Sequence, residues 1–339
     1  MDAQELTNLF GLPLKDPEEE TFILFSETTS TGNLGFIDPR AASIELTIAG
    51  HDYTIAQSPG ILSSTRAGGT TGAVVWRITP ALAAWLASAQ SPLRGLLDPD
   101  AGGSRGLDST LRGSSNGERG TFVLELGCGI AGILALALGP HVERYVLTDQ
   151  DYVLKLLHAN ITSNAPQGAW DTASGGGGGD GSKTEATTAE ARRRPHAKTG
   201  AVRQRGVQRR DRPAAQARAG YIAFEALDWE AGAASARLTG REGVKGFDVV
   251  LACDCVYNEA LVEPFVATCV DVCRLRETAG DGKPTVCLVA QQLRDPTVFE
   301  AWIAEFHQHF ETWRVPDEVV PSELRPSSGL VVHLGILRT

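Results

Sequence analysis

From residue 121 to the end of the chain, the apolar positions follow two rhythms in turn. Short unbroken runs such as TFVLEL (121–126) have the composition of strands buried on both faces. Stretches such as YVLKLLHANITSN (152–164) place apolar residues three and four apart, which predicts helices. The strand-like runs are 121–126, YVLTD (145–149), YIAFEALDW (221–229), FDVVLACD (247–254) and PTVCLVAQQ (284–292). Helices are expected at ILALAL (133–138), at 152–164, over 258–276 and near 297–309. RVPDEVV (314–320) and GLVVHLGIL (329–337) add a terminal hairpin and bring the count to seven strands. Strand–helix alternation under the right-handed crossover rule predicts an α/β, Rossmann-like fold with a mostly parallel, doubly wound sheet.

Ahead of this pattern, TFILF (21–25), SIELTIAG (43–50) and HDYTIAQ (51–57) read as strands of a small antiparallel element. Residues 1–67 are therefore expected to form a β-rich extension, and 68–339 the main domain. GGTTGAVVW (68–76) opens that domain and leads into the helix-compatible RITPALAAWLASA.

Composition interrupts the main domain twice. Residues 171–220 hold five consecutive glycines and almost no apolar side chains, so they cannot offset their ordering entropy by burial. The α/β pattern resumes at Tyr221, so this is expected to be a disordered insertion within one domain. The glycine-rich 101–120 is a shorter low-complexity loop of the same kind.

Charge follows the same division. The chain carries −10 in all, but 171–220 carries 11 Lys/Arg against 5 Asp/Glu, so that segment is +6 and the rest −16. An acidic body suits a basic protein partner and repels nucleic acid. The Arg-rich 192–212 leaves open a weak RNA contact or a nuclear address, with solvated disorder the simpler reading. No apolar run approaches the ~20 residues of a membrane helix. The first twenty residues lack the basic-then-apolar layout of a signal peptide, and a cytoplasmic protein is expected. The six cysteines all sit in apolar segments, as reduced, buried thiols do. The pairs Cys253/Cys255 and Cys269/Cys273 have no histidine close in sequence, so no metal site is expected.

The densest chemistry is Glu125-Leu126-Gly127-Cys128-Gly129-Ile130-Ala131-Gly132, where a strand gives way to a helix. Glycines there permit a sharp turn and the close approach of a ligand to the backbone. A ligand-free strand–helix turn has the same spacing. Asp149 ends the next strand, where a carboxylate accepts bonds from ribose hydroxyls. That group is common to NAD and S-adenosylmethionine. Glu125 separates them, because a carboxylate before the first glycine suits an ammonium and repels a pyrophosphate. Asp228-Trp229 closes the third strand with a hydrogen-bonding group and an apolar lid suited to adenine, core packing being the other reading of Trp229. Asp254, after the fourth strand, lies where open α/β sheets bind ligands; the competing reading makes it a helix N-cap.

LELGCGIAG, LTD, LDW and FDVVLACDCVYNEALVEPFV together resemble the seven-strand, class I protein-lysine methyltransferases of the methyltransferase-like 21 group. Within it they resemble the fungal ribosomal lysine methyltransferase 5 branch. GTTGAVVW resembles that group's segment bearing a cofactor-capping tryptophan. The resemblance spans most of the chain outside the two low-complexity loops, which depart from the family and leave its motifs intact. It implies S-adenosylmethionine as cofactor and a basic ribosomal protein as substrate. The family's cofactor positions fall on Trp76, Gly127, Cys128, Gly129, Asp149, Trp229 and Ala252, and its Asp-x-x-Tyr motif on Asp254 and Tyr257. On this reading Asp254 binds and orients the incoming ammonium and Tyr257 shapes an aromatic channel. Three alternatives stay open: another protein or small-molecule methyltransferase, a NAD-dependent enzyme, and a non-catalytic module that binds S-adenosylmethionine.

Overall fold

The computed structural model describes residues 1–27, 35–64, 69–98, 120–172, 220–277 and 283–338. Two helices lead, α1 (Ala3–Phe10) and α2 (Pro17–Glu27). A hairpin of β1 (Ser43–Ile48) and β2 (His51–Ala56) follows, then a single turn, α3 (Pro59–Leu62). Next come α4 (Ile78–Ala87) and the short α5 (Arg94–Leu97). The repeating part runs β3 (Phe122–Leu126), α6 (Ile133–Leu138), β4 (Arg144–Asp149), α7 (Leu154–Asn164), β5 (Ile222–Ala226) and β6 (Val249–Cys253). It ends with α8 (Val262–Glu277), β7 (Val286–Gln292), α9 (Pro296–His309), β8 (Phe310–Arg314) and β9 (Leu330–Leu337).

Seven of these strands form one sheet in the order β5-β4-β3-β6-β7-β9-β8. The first five are parallel, and β9 runs antiparallel to both β7 and β8. The unbroken apolar runs have a direct cause, since alternate residues serve two cores. Val123, Leu147 and Leu251 join a cluster with α4, α6 and α7, while Leu124, Val146 and Val250 join one with α8 and α9. The strand order reverses between β3 and β6. Their carboxyl ends therefore flank a crevice, the usual ligand site of open α/β sheets.

The N-terminal extension is only partly β. TFILF lies in α2, not in a strand. Pro17 at the first helical position, three glutamates in the first turn and Asp16 accepting from the Glu18 and Glu19 amides start a helix there. Leu24 then enters the core beside α9, and Glu20 is buried against His333 (2.9 Å) and Arg314 (3.6 Å). Burial pushes the Glu20 carboxyl up, but the hydrogen bond and charge of His333, with Arg314, outweigh it and hold it below the ordinary value. The β1–β2 hairpin is as expected, turning on Ala49 and Gly50, both at positive φ. It is tied to α7 by two amides one helical turn apart. Asn164 bonds both backbone groups of Thr54, and Asn160 both of Ala56. At the other end, the strand expected at RVPDEVV lies four residues earlier, at FETWR. Pro316 has no N–H for the ladder, and the chain turns away after Val315.

Most of the low-complexity loop 101–120 and of the insertion 171–220 lies outside the described residues. The two ends of the second segment meet. Gly220 donates its amide to Gly168 (2.7 Å), and Asp171 donates to Ile222 (2.8 Å). The buried Arg144 grips both sides, donating to the Asp171 carboxylate (2.6 Å) and the Gly220 carbonyl (2.8 Å). The chain thus leaves and re-enters the fold at one clamp. Replacing 173–219 with a few glycines and serines is expected to leave the melting temperature within a few degrees of the parent, since closure entropy varies only logarithmically with loop length. Thermal unfolding of the shortened chain measures this; a large drop would mean the segment packs on the domain.

Candidate functional site

At the carboxyl ends of β3, β4 and β6 the backbone bends into a cleft of ≈ 480 Å³. Its floor is the turn after β3. Gly127 (φ +67°) and Gly129 (φ +58°) adopt the left-handed region, which side chains resist. Space is as restrictive as conformation. A Cβ on Gly129 would lie 2.9 Å from the Gly72 carbonyl oxygen, and one on Gly127 2.8 Å from Cys255 Sγ and 3.3 Å from the Trp229 ring. The Gly72 carbonyl also accepts from the Ile130 amide (2.9 Å). Residues 69–76 are thereby strapped across the glycine turn, and Trp76 forms a wall with its indole N–H donated to Thr71 (3.0 Å).

Two carboxylates converge on this floor. Asp149 accepts from the Gly129 amide (2.8 Å) on one oxygen and from Gln150 (2.7 Å) on the other. An ionised carboxylate has about four lone-pair sites and accepts several bonds at once, and Asp149 borders the cleft. Glu125 is buried in β3 and accepts from the Tyr145 hydroxyl (2.8 Å). Burial, opposed by that hydrogen bond and reinforced by the charge of Asp149, pushes its pKa up to about 7. On the far side the Trp229 ring packs edge-on against Phe265, and its Nε1 is buried with no partner among the described residues. Asp228 and Glu230, both exposed, stand beside it at the cleft.

After β6 the chain makes an unusual bend. Asp254 takes φ +59°, a region aspartate tolerates better than most residues. Its side chain is buried, and its carboxylate is gripped by the guanidinium of Arg294, Nη1 to Oδ1 at 2.8 Å and Nη2 to Oδ2. The Gln292 amide adds a third bond to Oδ1 (3.2 Å). The same guanidinium lies 4.8 Å above the Trp76 ring. The helix N-cap considered for Asp254 belongs to Asn258, whose side chain accepts from Ala260 N–H (2.7 Å). Tyr257 stands at the mouth, 40% exposed.

Trp76, Glu125, Gly127, Cys128, Gly129, Asp149, Asp228, Trp229, Asp254 and Tyr257 thus meet in one cleft. Ala252 does not. It is fully buried and points into the α8–α9 core, because side chains alternate along β6 and the cleft takes its neighbour Cys253. An expected free carboxylate at Asp254 is instead a paired one. The sequence reading also missed Gly72, Tyr152, Cys253, Cys255, Asn258 and Arg294. Of these, Gly72 had a signal in the glycines of GGTTGAVVW, and Cys255 in its place between Asp254 and Tyr257. Arg294 had none.

Chemically, the cleft is acidic and aromatic. No lysine or arginine occurs among its described lining residues. Burial holds the Cys128, Cys253 and Cys255 thiols above their ordinary values, so they remain neutral and are poor nucleophiles near pH 7. The arrangement favours a cationic ligand with ribose-like hydroxyls.

A family model described as lysine methyltransferase matches residues 57–172. Ribosomal lysine N-methyltransferase 5 of Zygosaccharomyces rouxii is 30% identical over 258 residues, covering 75% of this chain and 70% of that protein. The protein of the same name from Saccharomyces cerevisiae Lalvin EC1118 is 35% identical over 147 residues, 38% of this chain and 39% of its own. A diaminohydroxyphosphoribosylamino-pyrimidine deaminase of Schizosaccharomyces pombe is 32% identical over 148 residues, 43% of this chain and 31% of that protein. Among the described residues, no helix is long and apolar enough to cross a membrane.

Glu125 gives the ligand-free protein a specific pH dependence. Its folded-state pKa of about 7 stands above the ordinary 4.5. Its contribution to stability is therefore greatest below the unfolded value and is lost as pH rises through the folded one. The melting temperature of wild type relative to Glu125→Gln is expected to fall between about pH 5 and about pH 8. Scanning calorimetry of both proteins across that range checks this; parallel pH curves would mean Glu125 is ionised throughout.

Proposed function

The chain belongs to the lysine methyltransferase family, and from that premise we propose that it methylates a lysine side chain of a ribosomal protein, using S-adenosylmethionine. The substrate class follows the names of the fungal relatives, and it fits a protein that works in the cytoplasm. One observation carries the cofactor assignment: carboxylates, and no basic side chains, line the described cleft around a glycine turn. A cationic nucleoside amino acid suits that wall, whereas the pyrophosphate of a dinucleotide would meet like charge with no cation to offset it. The close approaches at Gly127 and Gly129 and the unpartnered Trp229 Nε1 are further marks of a ligand cradle.

Asp149 would hold the ribose hydroxyls and Glu125 the ammonium. Asp228 and Trp229 would take the adenine, with Trp76 and the glycine turn completing the walls. When bound, S-adenosylmethionine supplies a methyl group activated by its sulfonium. The chain must bring a neutral amine to that point. A free lysine, with pKa ~10.4, needs about 4–5 kcal/mol to lose its proton at pH 7. Exposed Asp228 and Glu230 attract the charged side chain to the mouth, and the Tyr257 ring offers it a face on the way in. Aromatic walls then favour the neutral form by limiting its hydration.

Titration calorimetry with S-adenosylhomocysteine is expected to give micromolar affinity, and NAD at least a hundredfold weaker. Label from tritiated S-adenosylmethionine should enter a protein band of a ribosomal extract. Preferential NAD binding would defeat the cofactor reading, and label confined to small molecules would defeat the substrate reading.

Two substitutions separate the roles along the cleft. Asp149→Ala should weaken S-adenosylhomocysteine at least tenfold, through loss of charge-assisted bonds worth about 1.5–3 kcal/mol. Tyr257→Ala should change that affinity less than threefold while lowering methyl transfer at least tenfold. Equal effects of Tyr257→Ala on affinity and transfer would move Tyr257 to the cofactor side.

A further inference from the structure

Asp254 lies in the motif where the family resemblance puts the acceptor, yet its side chain is only 1% exposed and both its oxygens are engaged by Arg294. An ammonium that sought this carboxylate would compete with a two-pronged guanidinium that already neutralises it in fixed planar geometry. Displacement would also part Arg294, its side chain 19% exposed and lying on the Trp76 ring, from the Asp254 carboxylate. Losing one partner of such a pair is far costlier than never having had the pair.

We infer that Arg294 is a positioning residue for methyl transfer, and that Asp254 acts on the reaction through Arg294 and not by capturing the substrate ammonium. The inference rests on the methyltransferase reading of the cleft. One guanidinium joins three parts of the wall. Its two nitrogens fix the Asp254 bend, from which Tyr257 projects three residues on. Its face supports Trp76, whose other fastenings are the Thr71 carbonyl and the Phe36 ring, 4.4 Å away. Its Nη2 reaches Gln292 Oε1 (3.4 Å) at the end of β7. Pairing also cancels the Asp254 charge. A bare carboxylate beside the acceptor would stabilise the protonated amine and hinder attack, so a neutralised one leaves the amine freer to lose its proton.

A double-mutant cycle separates this from direct capture. Asp254→Asn and Arg294→Gln each break the ion pair from one side only, and each should lower transfer to Saccharomyces cerevisiae ribosomal protein on the order of a hundredfold. The double variant removes both charges together, and it should transfer at least tenfold faster than Asp254→Asn. If the carboxylate itself meets the substrate, the double variant will be no faster than Asp254→Asn, and the inference fails.

Calorimetry with S-adenosylhomocysteine needs no acceptor and forms the second arm. Each single change should weaken it roughly three- to tenfold by loosening Trp76, and the double no more than the weaker single. Wild type that labels no ribosomal protein would sink the substrate reading alone; additive losses of S-adenosylhomocysteine affinity would sink the positioning role. Should Arg294→Gln fail to fold, Arg294→Lys keeps a cation without the fork. It should lose S-adenosylhomocysteine affinity three- to tenfold and transfer at least tenfold, and wild-type values in both would overturn the inference.

Discussion

The constraint on which the cleft depends is the contact of two backbones at Gly129 and Gly72. The carbonyl of one lies where the other would carry a Cβ, and the same carbonyl receives the Ile130 amide. A larger residue at Gly129 would part the strap from the turn, and one at Gly72 would press on the Tyr152 hydroxyl (2.9 Å). The rest of the cleft follows from this contact. It sets residues 69–76 over the end of β3, which puts Trp76 opposite Trp229 and closes the space above Asp149. It also explains why a segment far ahead of the parallel sheet in sequence becomes one wall of the site.

Around that contact the charges are sorted by sign. Carboxylates face the cleft, while the buried guanidiniums are tied up in structure, Arg294 beside the cleft and Arg144 and Arg276 at the opposite, amino-terminal edge of the sheet. Arg144 closes the base of the insertion, Arg276 pairs with Asp248, and Arg294 backs Asp254. Asp248 in turn accepts from the Phe122 amide at the start of β3 (2.7 Å). Each buried arginine thus fastens a point where the chain enters or leaves the sheet. The cleft wall stays acidic because the one of these guanidiniums beside it, Arg294, is paired with Asp254.

How much of this could be read from the sequence depended on whether a feature was local. The placement of the glycine turn, Asp149 and Trp229 at the cleft was legible because strand end, turn and cleft-facing residue lie within a few positions of one another. The five parallel strands were legible because burial on both faces leaves unbroken apolar runs. TFILF was not, since a five-residue apolar run fits a strand or a buried helical turn equally, and the deciding signals were Asp16 and Pro17 just ahead of it. The Ala252 side chain lies off the cleft by parity: adjacent residues on a strand face opposite ways, and the cleft takes Cys253. The partner of Asp254 lies 40 residues away on another strand end. No spacing rule connects the two, so the motif suggested a free carboxylate where the fold supplies a neutralised one.

The pair of asparagines on α7 has a consequence for how the protein behaves in a crowded solution. An exposed strand edge invites pairing with another chain, and two-stranded hairpins are especially vulnerable. At Thr54 and Ala56 the outward backbone groups of β2 are already bonded to Asn164 and Asn160. A foreign strand arriving along that edge finds its ladder positions filled by side chains that have no free backbone to extend. The amides act as a stop for sheet growth along the β2 edge of the hairpin.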